Sequence, residues 1–279
     1  MVAFGATQTC TSCGRLHAGA TFARVFPLVV STDPQIDFAL APQAAVPLGV
    51  FETVLVEDGR VRELRRHLER LAASVRVLYG VSLPDGLEAQ VADAAAGHAL
   101  ARLRVDVVPG LTGPLTVRID CAALDPGVVA PADVALVTVR VVAGFGPHKL
   151  VDRGWLEQIE EAAGEEVRPL LCSPAGALLE TTRANVFLLR DGQLATPPLD
   201  GSILPGVMRA VLLEQARRLD IAAHERPLTL DDLRAADVVL LSGSVRLLER
   251  SRSRPGRRSD AAAARLMQAL GVRHEARPA

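Results

Sequence analysis

The chain has 279 residues with 31 basic and 32 acidic side chains, so its formal net charge is −1 at pH 7. This balance excludes the large single-sign fields that nucleic acids and anionic membranes attract, and we expect neither as a partner. Hydrophobic residues make up 49% of the chain, which is enough for an ample core. Four cysteines do not resemble a disulfide framework and indicate a reducing, cytoplasmic setting. We find no apolar run long enough to cross a bilayer.

Residues 1–24 form an N-terminal extension to which the sequence assigns no structure. Cys10, Cys13 and His17 in this extension have the outline of half a zinc site. A tetrahedral structural site needs four ligands, usually arranged as two Cys-x-x-Cys pairs, and the chain contains no second pair. We therefore expect incidental thiols and no metal site.

Residues 25–142 are predicted to form a small α+β domain. β-branched and aromatic residues predict a strand over 46–57. Apolar residues at three- and four-residue steps over 61–78 predict an amphipathic helix with Gly80 as its C-cap. An Ala-rich second helix is predicted over 87–103. Three further strands are predicted, over 104–108, 115–121 and 134–142.

The breaker-rich stretch 143–147 is predicted to be an interdomain linker. Residues 148–279 are predicted to form a larger, β-rich domain with few helices, which gives a two-domain α+β fold for the whole chain. Strands are predicted over 168–172, 177–180, 185–189, 193–196 and 238–241. Helices are predicted over 207–219 and 261–270, and the basic stretch 250–258 is predicted to be a solvated loop.

Two segments of the second half carry side chains or backbone groups with evident chemistry. Leu178 and Leu179 lead into Glu180 at the end of an apolar strand. Burying a carboxylate there costs free energy unless a cationic group lies next to it. Further along, Pro205 and Gly206 open a helix whose free N–H groups suit a phosphate. Together these segments indicate a pyridoxal-phosphate pocket.

Four regions of the chain match one enzyme family in order and at near-family spacing. They are Gly49-Val50-Phe51-Glu52-Thr53, His67-Leu68-Glu69-Arg70-Leu71, His148-Lys149-Leu150-Val151-Asp152-Arg153, and the Glu180 and Gly206 segments. In these regions the chain resembles the class IV (fold type IV) pyridoxal-phosphate enzymes, which include branched-chain aminotransferases, D-amino-acid transaminases and aminodeoxychorismate lyases. The resemblance covers roughly residues 48–250. It implies a fold like that of D-amino-acid aminotransferase and a homodimer with its active site between the two domains.

The resemblance implies a role for each residue around the cofactor ring. Lys149 would form the imine with the cofactor and move protons at the substrate Cα. It is also the only lysine in the chain, so no other lysine competes for this role. Glu180 would keep the pyridine nitrogen protonated through a charge-assisted hydrogen bond. Asn185 would orient the adjacent backbone or the side of the cofactor that bears the phenolic oxygen.

The cofactor phosphate needs a cation and several donors. The resemblance implies Arg70 as the cation, the backbone N–H groups of Val207 and Met208 at a helix start, and the hydroxyl of Ser244. Many transaminases carry Thr where Met208 stands, whereas some aminodeoxychorismate lyases show a similar Met.

Three functions remain open on the sequence. The first is an aminodeoxychorismate lyase, with Arg183 and Arg246 as partners for substrate carboxylates or simply as surface charges. The second is a transaminase acting on branched-chain or D-amino acids. The third is a non-catalytic module with a degraded cofactor site, which the uncharged stretch 41–49 favours because the family usually carries charged motifs there.

Overall fold

The computed structural model describes residues 49–110, 115–130, 133–164, 167–252 and 256–272. The N-terminal extension 1–24, with Cys10, Cys13 and His17, lies outside the described residues, as does the stretch 41–48. The strands of the described chain form two sheets, one of four strands and one of eight.

The first sheet is antiparallel, in the order β2-β1-β3-β4. Its strands are β1 (Val50–Glu57), β2 (Arg60–Val61), β3 (Leu100–Val108) and β4 (Thr116–Ala123). Two helices, α1 (Leu64–Tyr79) and α2 (Leu87–Ala95), pack against it. The helices bury an apolar stripe, exemplified by Leu71, Val75 and Val91, against the inner side chains of the sheet.

The predicted amphipathic helix and its cap are confirmed. Gly80 ends α1 in the left-handed conformation, with φ of 69°, and donates its N–H to the carbonyl oxygen of Arg76. The predicted helix over 87–103 is wrong in its second half. Helix α2 ends at Ala95, and Gly97 turns the chain at a φ of 81°. Residues 100–103 belong to β3, because Ala101 and Leu103 continue the period-two burial of that strand.

The second sheet has eight strands. They are β5 (Ala135–Arg140), β6 (Val167–Cys172), β7 (Leu178–Thr181), β8 (Asn185–Arg190), β9 (Gln193–Thr196), β10 (Ala223–Glu225), β11 (Val238–Gly243) and β12 (Leu247–Arg252). Strand β8 is central and pairs with β7, β9 and β11. A parallel bridge joins Asp133 to Arg250, and the N–H of Val134 donates to the Arg250 carbonyl at 2.8 Å. This bridge connects β12 back to the start of β5, so the strands from β5 through β8 and β11 to β12 form a ring.

The strand predicted over 134–142 pairs in this second sheet, and not with the strands predicted before it. Strand β5 pairs in parallel with β6. Parallel neighbours need a long crossover connection, and here that connection contains the predicted linker 143–147 and a helix. The connection that contains the linker therefore leaves the second sheet after β5 and returns to it at β6. The domain limits 25–142 and 148–279 themselves stay a prediction.

Five further helices follow along the described part of the chain, one before residue 148 and four after it. They are α3 (Pro126–Val129), α4 (Gly154–Ala163), α5 (Val207–Arg218), α6 (Leu230–Ala235) and α7 (Arg257–Ala269). The sequence prediction missed α3, α4 and α6, so the part of the chain from residue 148 onward, which contains α4 and α6, is richer in helix than expected. The basic stretch 250–258 was wrongly predicted to be a loop, because its ends belong to β12 and α7. Within the described residues, no helix combines the length and apolar character needed to cross a bilayer.

The largest core lies between β8, β11 and the helices α5 and α7. Phe187 is the largest fully buried side chain in it, and it packs with Leu212, Leu240 and Leu266. Because protein interiors are close-packed, the neighbouring side chains cannot readily move into a cavity at this position, and such a cavity lowers the stability of the fold.

Replacing Phe187 by Ala should lower the free energy of unfolding by about 3–5 kcal/mol, since a fully buried aromatic side chain is removed. Urea denaturation followed by circular dichroism measures this loss. Val77→Ala is the matched control, because Val77 is 71% exposed and should change stability by less than about 0.5 kcal/mol. Equal losses in the two variants would contradict this description of the core.

Candidate active site

Lys149 lies where the crossover between β5 and β6 touches the first sheet. The N–H of Phe51 donates to the Lys149 carbonyl at 2.9 Å, and the N–H of Val151 donates to the Gly49 carbonyl at 3.0 Å. A Cβ at Gly49 would lie 3.0 Å from the carbonyl oxygen of Val107, and the φ of 147° there suits only glycine. The backbone on both sides of Lys149 is therefore fixed to β1.

Three basic side chains surround the ring of Phe51. Their distances from the ring centroid are 4.7 Å for Lys149 Nζ, 3.8 Å for Arg104 Cζ and 5.7 Å for Arg153 Cζ. Arg104 is neutralised by Asp106, whose carboxylate lies 2.7 Å away. Arg153 donates to the carbonyl oxygen of Thr182 and forms no salt bridge with any carboxylate in the described part of the chain. Arg153 is therefore the arginine of this cluster whose charge no salt bridge of the described residues pairs, although the charges of Glu160 and Glu180 act on it.

Burial of the Lys149 amine lowers its pKa, and the neighbouring charges of Arg153 and Arg70 lower it further. Glu52 and Glu180 oppose this shift, and the resulting pKa is about 7 instead of the usual 10.5. A large fraction of the amine is therefore neutral at neutral pH, as a nucleophile or base must be.

Glu180 is buried, with 3% of its surface exposed. Its Oε1 accepts the N–H of Leu204 at 2.9 Å, and its Oε2 accepts a hydrogen bond from Asn185 Nδ2 at 3.2 Å. Burial raises the pKa of Glu180 to about 8, although the Leu204 hydrogen bond and the charge of Lys149 lower it. The carboxyl thus holds a proton near neutral pH until a further cation approaches.

A polar row crosses three strands beside Glu180. Asn185 on β8 is the direct partner of Glu180 on β7 and of Ser242 on β11, and directly paired residues point to the same face of a sheet. The hydroxyl of Ser242 is buried and has no hydrogen-bond partner among the described residues. A Cβ on Gly206 would lie 1.9 Å from Asn185 Oδ1, so only glycine fits at the start of α5. The sequence prediction did not single out Ser242.

The start of α5 lies next to this row and has no side-chain cap. Val207 and Met208 are its first two residues, and both are buried. Arg70, on α1, donates from Nη1 to the carbonyl oxygen of Pro205 at 3.1 Å. The structure thus brings three of the predicted phosphate-binding residues together from distant parts of the chain, while Ser244 follows the end of β11 in the turn before β12.

Arg70 is also held by a carboxylate that the sequence analysis quoted without giving it a role. Glu52 Oε1 accepts from Arg70 Nε at 2.8 Å, and Glu52 Oε2 accepts from Arg70 Nη2 at 2.7 Å. His67 Nδ1 lies 2.8 Å from the same Oε2. Burial alone would raise the pKa of Glu52, but Arg70 and His67 outweigh it and lower that pKa to about 2. Glu52 and His67 both belong to the segments that match the family, but nothing in the sequence pairs them with Arg70.

The two arginines predicted to bind substrate carboxylates are engaged elsewhere. Arg183 forms a two-pronged pair with Glu160, and 74% of the Arg183 side chain is exposed. Arg246 donates from Nη1 to the carbonyl oxygen of Val128 at 3.2 Å. Their substrate roles stay predictions. Arg153, within the His-Lys-x-x-Asp-Arg segment, shares the Phe51 ring with Lys149.

Comparison with known proteins points to one family. The sequence pattern described as amino-transferase class IV matches residues 49–251. A candidate branched-chain-amino-acid aminotransferase of Methanocaldococcus jannaschii is 30% identical over 221 residues, which cover 70% of this chain and 75% of that protein. Other curated relatives match over 25–33% of this chain and 22–28% of their own length.

Two solved structures show the same fold. A hypothetical aminotransferase from Mycobacterium tuberculosis, in its α-ketoglutarate- and PMP-bound form, has a TM-score of 0.70 and 24% identity, over 80% of this chain and 88% of that one. A 4-amino-4-deoxychorismate lyase from Pseudomonas aeruginosa has a TM-score of 0.65 and 24% identity, over 79% of this chain and 90% of that one.

Because Lys149 is the only lysine, its titration can be observed directly. Protein made with lysine labelled with ¹³C at Cε should show one lysine resonance that titrates near pH 7, protonated below this pH and neutral above it. Arg153→Gln should move the midpoint upward, because the charge of Arg153 lowers the pKa of Lys149. A midpoint near the ordinary lysine value of 10.5 would contradict the enclosed position of the amine.

Proposed function

Because this chain belongs to the amino-transferase class IV family, whose enzymes depend on pyridoxal phosphate, we propose that it is a lyase using that cofactor. The reaction converts 4-amino-4-deoxychorismate to 4-aminobenzoate and pyruvate. The Arg153 guanidinium at the Phe51 ring, beside the Lys149 amine and outside any salt bridge of the described residues, carries this conclusion. The substrate bears two carboxylates, whereas a branched-chain amino acid bears one carboxylate and an apolar side chain. A cationic cluster suits the dianion better.

The residues present fit pyridoxal phosphate on grounds of structure. Among the described residues, the buried Ser242 hydroxyl lacks a partner and the start of α5 has no side-chain cap, and Gly206 lets Asn185 lie directly against that helix start. The groups that would hold the cofactor are Lys149 at the aldehyde, Glu180 at the ring nitrogen, Asn185 beside the ring, and Arg70, Val207, Met208 and Ser244 at the phosphate.

The chain's own residues account for the proton movements. The bound cofactor supplies an electron sink for the pair left at the substrate carbon. Lys149 Nζ, with a pKa of about 7, accepts the proton from the ring carbon that carries the amine. The C–O bond to the enolpyruvyl group then breaks, the ring becomes aromatic, and Lys149 can return its proton to the departing enol carbon as pyruvate forms. Atoms and electrons balance without an oxidant.

Arg153 is the residue that we assign to one substrate carboxylate. Its guanidinium lies beside the same ring as Lys149, and the described carboxylates leave its charge without a salt bridge. Burial lowers its pKa. A guanidinium in such surroundings gains from an anionic ligand, because a charge-assisted hydrogen bond restores what desolvation removed.

The alternative function is a class IV aminotransferase acting on branched-chain or D-amino acids. Its support is the relative from Methanocaldococcus jannaschii, which is named as a candidate branched-chain-amino-acid aminotransferase. The same Lys149 would serve both reactions, but an aminotransferase needs a second keto acid to complete its cycle.

We infer a homodimer in the cytoplasm, as the family resemblance implies. The described cysteines, Cys121 and Cys172, are both free thiols, which suits a reducing compartment. A homodimer would also let a neighbouring copy contribute to the substrate pocket.

The protein loaded with pyridoxal phosphate should release pyruvate and 4-aminobenzoate continuously from 4-amino-4-deoxychorismate without any added keto acid. Lys149→Ala should lower this rate at least about 10³-fold, because the positioned base is lost. Arg65→Ala is the matched control, since the side chain of Arg65 is 86% exposed on α1. Formation of the keto acid derived from an added branched-chain or D-amino acid, only when a second keto acid is supplied and without 4-aminobenzoate, would favour the aminotransferase instead.

Arg153→Gln should reduce kcat/KM for this substrate by about 10- to 100-fold, mostly through KM, because a charge-assisted hydrogen bond to a carboxylate is removed. Kinetics at about pH 9 keep Lys149 neutral in both proteins and separate this effect from the change in its pKa. Arg183→Gln provides the comparison. A larger loss in Arg183→Gln than in Arg153→Gln would return the carboxylate role to Arg183.

A further inference from the structure

We propose that Glu52 and His67 are positioning residues that hold Arg70 at the start of α5 and thereby set the preference for a phosphorylated cofactor over its dephosphorylated form. This inference rests on the proposed use of pyridoxal phosphate and is independent of which reaction follows.

The contacts of Arg70 fix the direction in which its guanidinium points. Glu52 occupies the edge formed by Nε and Nη2, with both distances below 3 Å. A guanidinium is planar and rigid, so this two-pronged contact orients the opposite edge as well. That edge carries Nη1, which lies 3.1 Å from the carbonyl oxygen of Pro205, directly before the start of α5. The remaining donors therefore face the helix N-terminus.

His67 and burial hold Glu52 in turn. The side chains of Glu52 and His67 are each only 2% exposed, and the Nδ1 to Oε2 distance is 2.8 Å. The pKa of Glu52 lies at about 2, so the carboxylate stays charged across the working pH range. His67 and Arg70 lie three positions apart on α1 and share one face of the helix. Glu52, on β1, therefore receives both side chains at once.

The main effect of this arrangement is to orient the Arg70 guanidinium; it does not add positive charge to the site. The Glu52 carboxylate cancels part of the attraction between Arg70 and an anion. It also removes the need to order a long, flexible side chain when the phosphate arrives, and that ordering opposes binding. A pre-oriented guanidinium next to uncapped N–H groups of α5 is suited to a phosphate and contributes nothing to a neutral hydroxymethyl group.

The experiment compares equilibrium binding of pyridoxal phosphate and of pyridoxal to the full chain. Glu52→Gln keeps the shape of the side chain but releases the charge-assisted hold on Arg70. It should weaken binding of pyridoxal phosphate about tenfold and change binding of pyridoxal less than about twofold. Arg70→Gln should abolish most of the preference for pyridoxal phosphate over pyridoxal. In the Arg70→Gln background, Glu52→Gln should then have no further effect on the ratio of the two affinities.

The chain offers a matched control in a second carboxylate–arginine pair between α1 and the second half. Arg66 on α1 contacts Glu214 on α5 through two hydrogen bonds of 2.8 and 2.9 Å, but the pair is partly exposed. Glu214→Gln should leave the ratio of affinities unchanged. If Glu52→Gln fails to fold, His67→Gln tests the same hold, with a smaller loss expected for pyridoxal phosphate and none for pyridoxal.

Three outcomes would overturn the positioning role. Equal weakening of both ligands by Glu52→Gln would make Glu52 a general structural residue. Persistence of the Glu52→Gln effect in the Arg70→Gln background would mean that it does not act through Arg70. An unchanged ratio in both Glu52→Gln and His67→Gln would also overturn it, while leaving the cofactor proposal intact. Failure of the unaltered protein to bind either ligand would instead overturn the proposed function.

Discussion

The site depends on the backbone pairing between β1 and the crossover that joins β5 to β6. Two hydrogen bonds, from Phe51 to Lys149 and from Val151 to Gly49, attach a connection of the second sheet to the first sheet. Without this attachment the Lys149 amine would hang from a long crossover and would be solvated. With it, the amine lies over an aromatic ring, and its environment determines its charge.

Three ionisable groups around this attachment have pKa values shifted by different balances of burial and charge. Desolvation dominates at Lys149 and Glu180, so both favour their neutral forms near pH 7 to 8. At Glu52 the charge of Arg70 and the hydrogen bond from His67 outweigh an equally strong burial. One site thus holds a neutral base, a neutral acid and a permanent ion pair, and strongly shifted groups of this kind cluster at functional sites.

Local patterns predicted several of the regular elements, but long-range pairing escaped them. The period of α1 and its Gly80 cap depend on neighbouring residues, so they could be predicted from the sequence. The sheet to which β5 belongs depends on its pairing with β6, and no local signal reports that partner. The site residues Lys149, Glu180 and Arg70 came from motif order, because segments distant in sequence had to be compared with a family. The contact between Glu52 and Arg70 could be seen only in the structure, because the sequence around a carboxylate in a strand does not indicate which cation it pairs with.

The residues proposed to hold the cofactor come from both halves of the chain, which has a thermodynamic consequence. Arg70 belongs to α1 of the first half, whereas Glu180, Val207 and Met208 belong to the second half. A ligand that binds such a divided site only when both parts are folded and in contact stabilises their contact by mass action. The Arg66–Glu214 pair already joins the same two helices at a partly exposed position, where an ion pair contributes little. The cofactor would therefore add a further connection between the halves to the backbone pairing of β1 with the crossover.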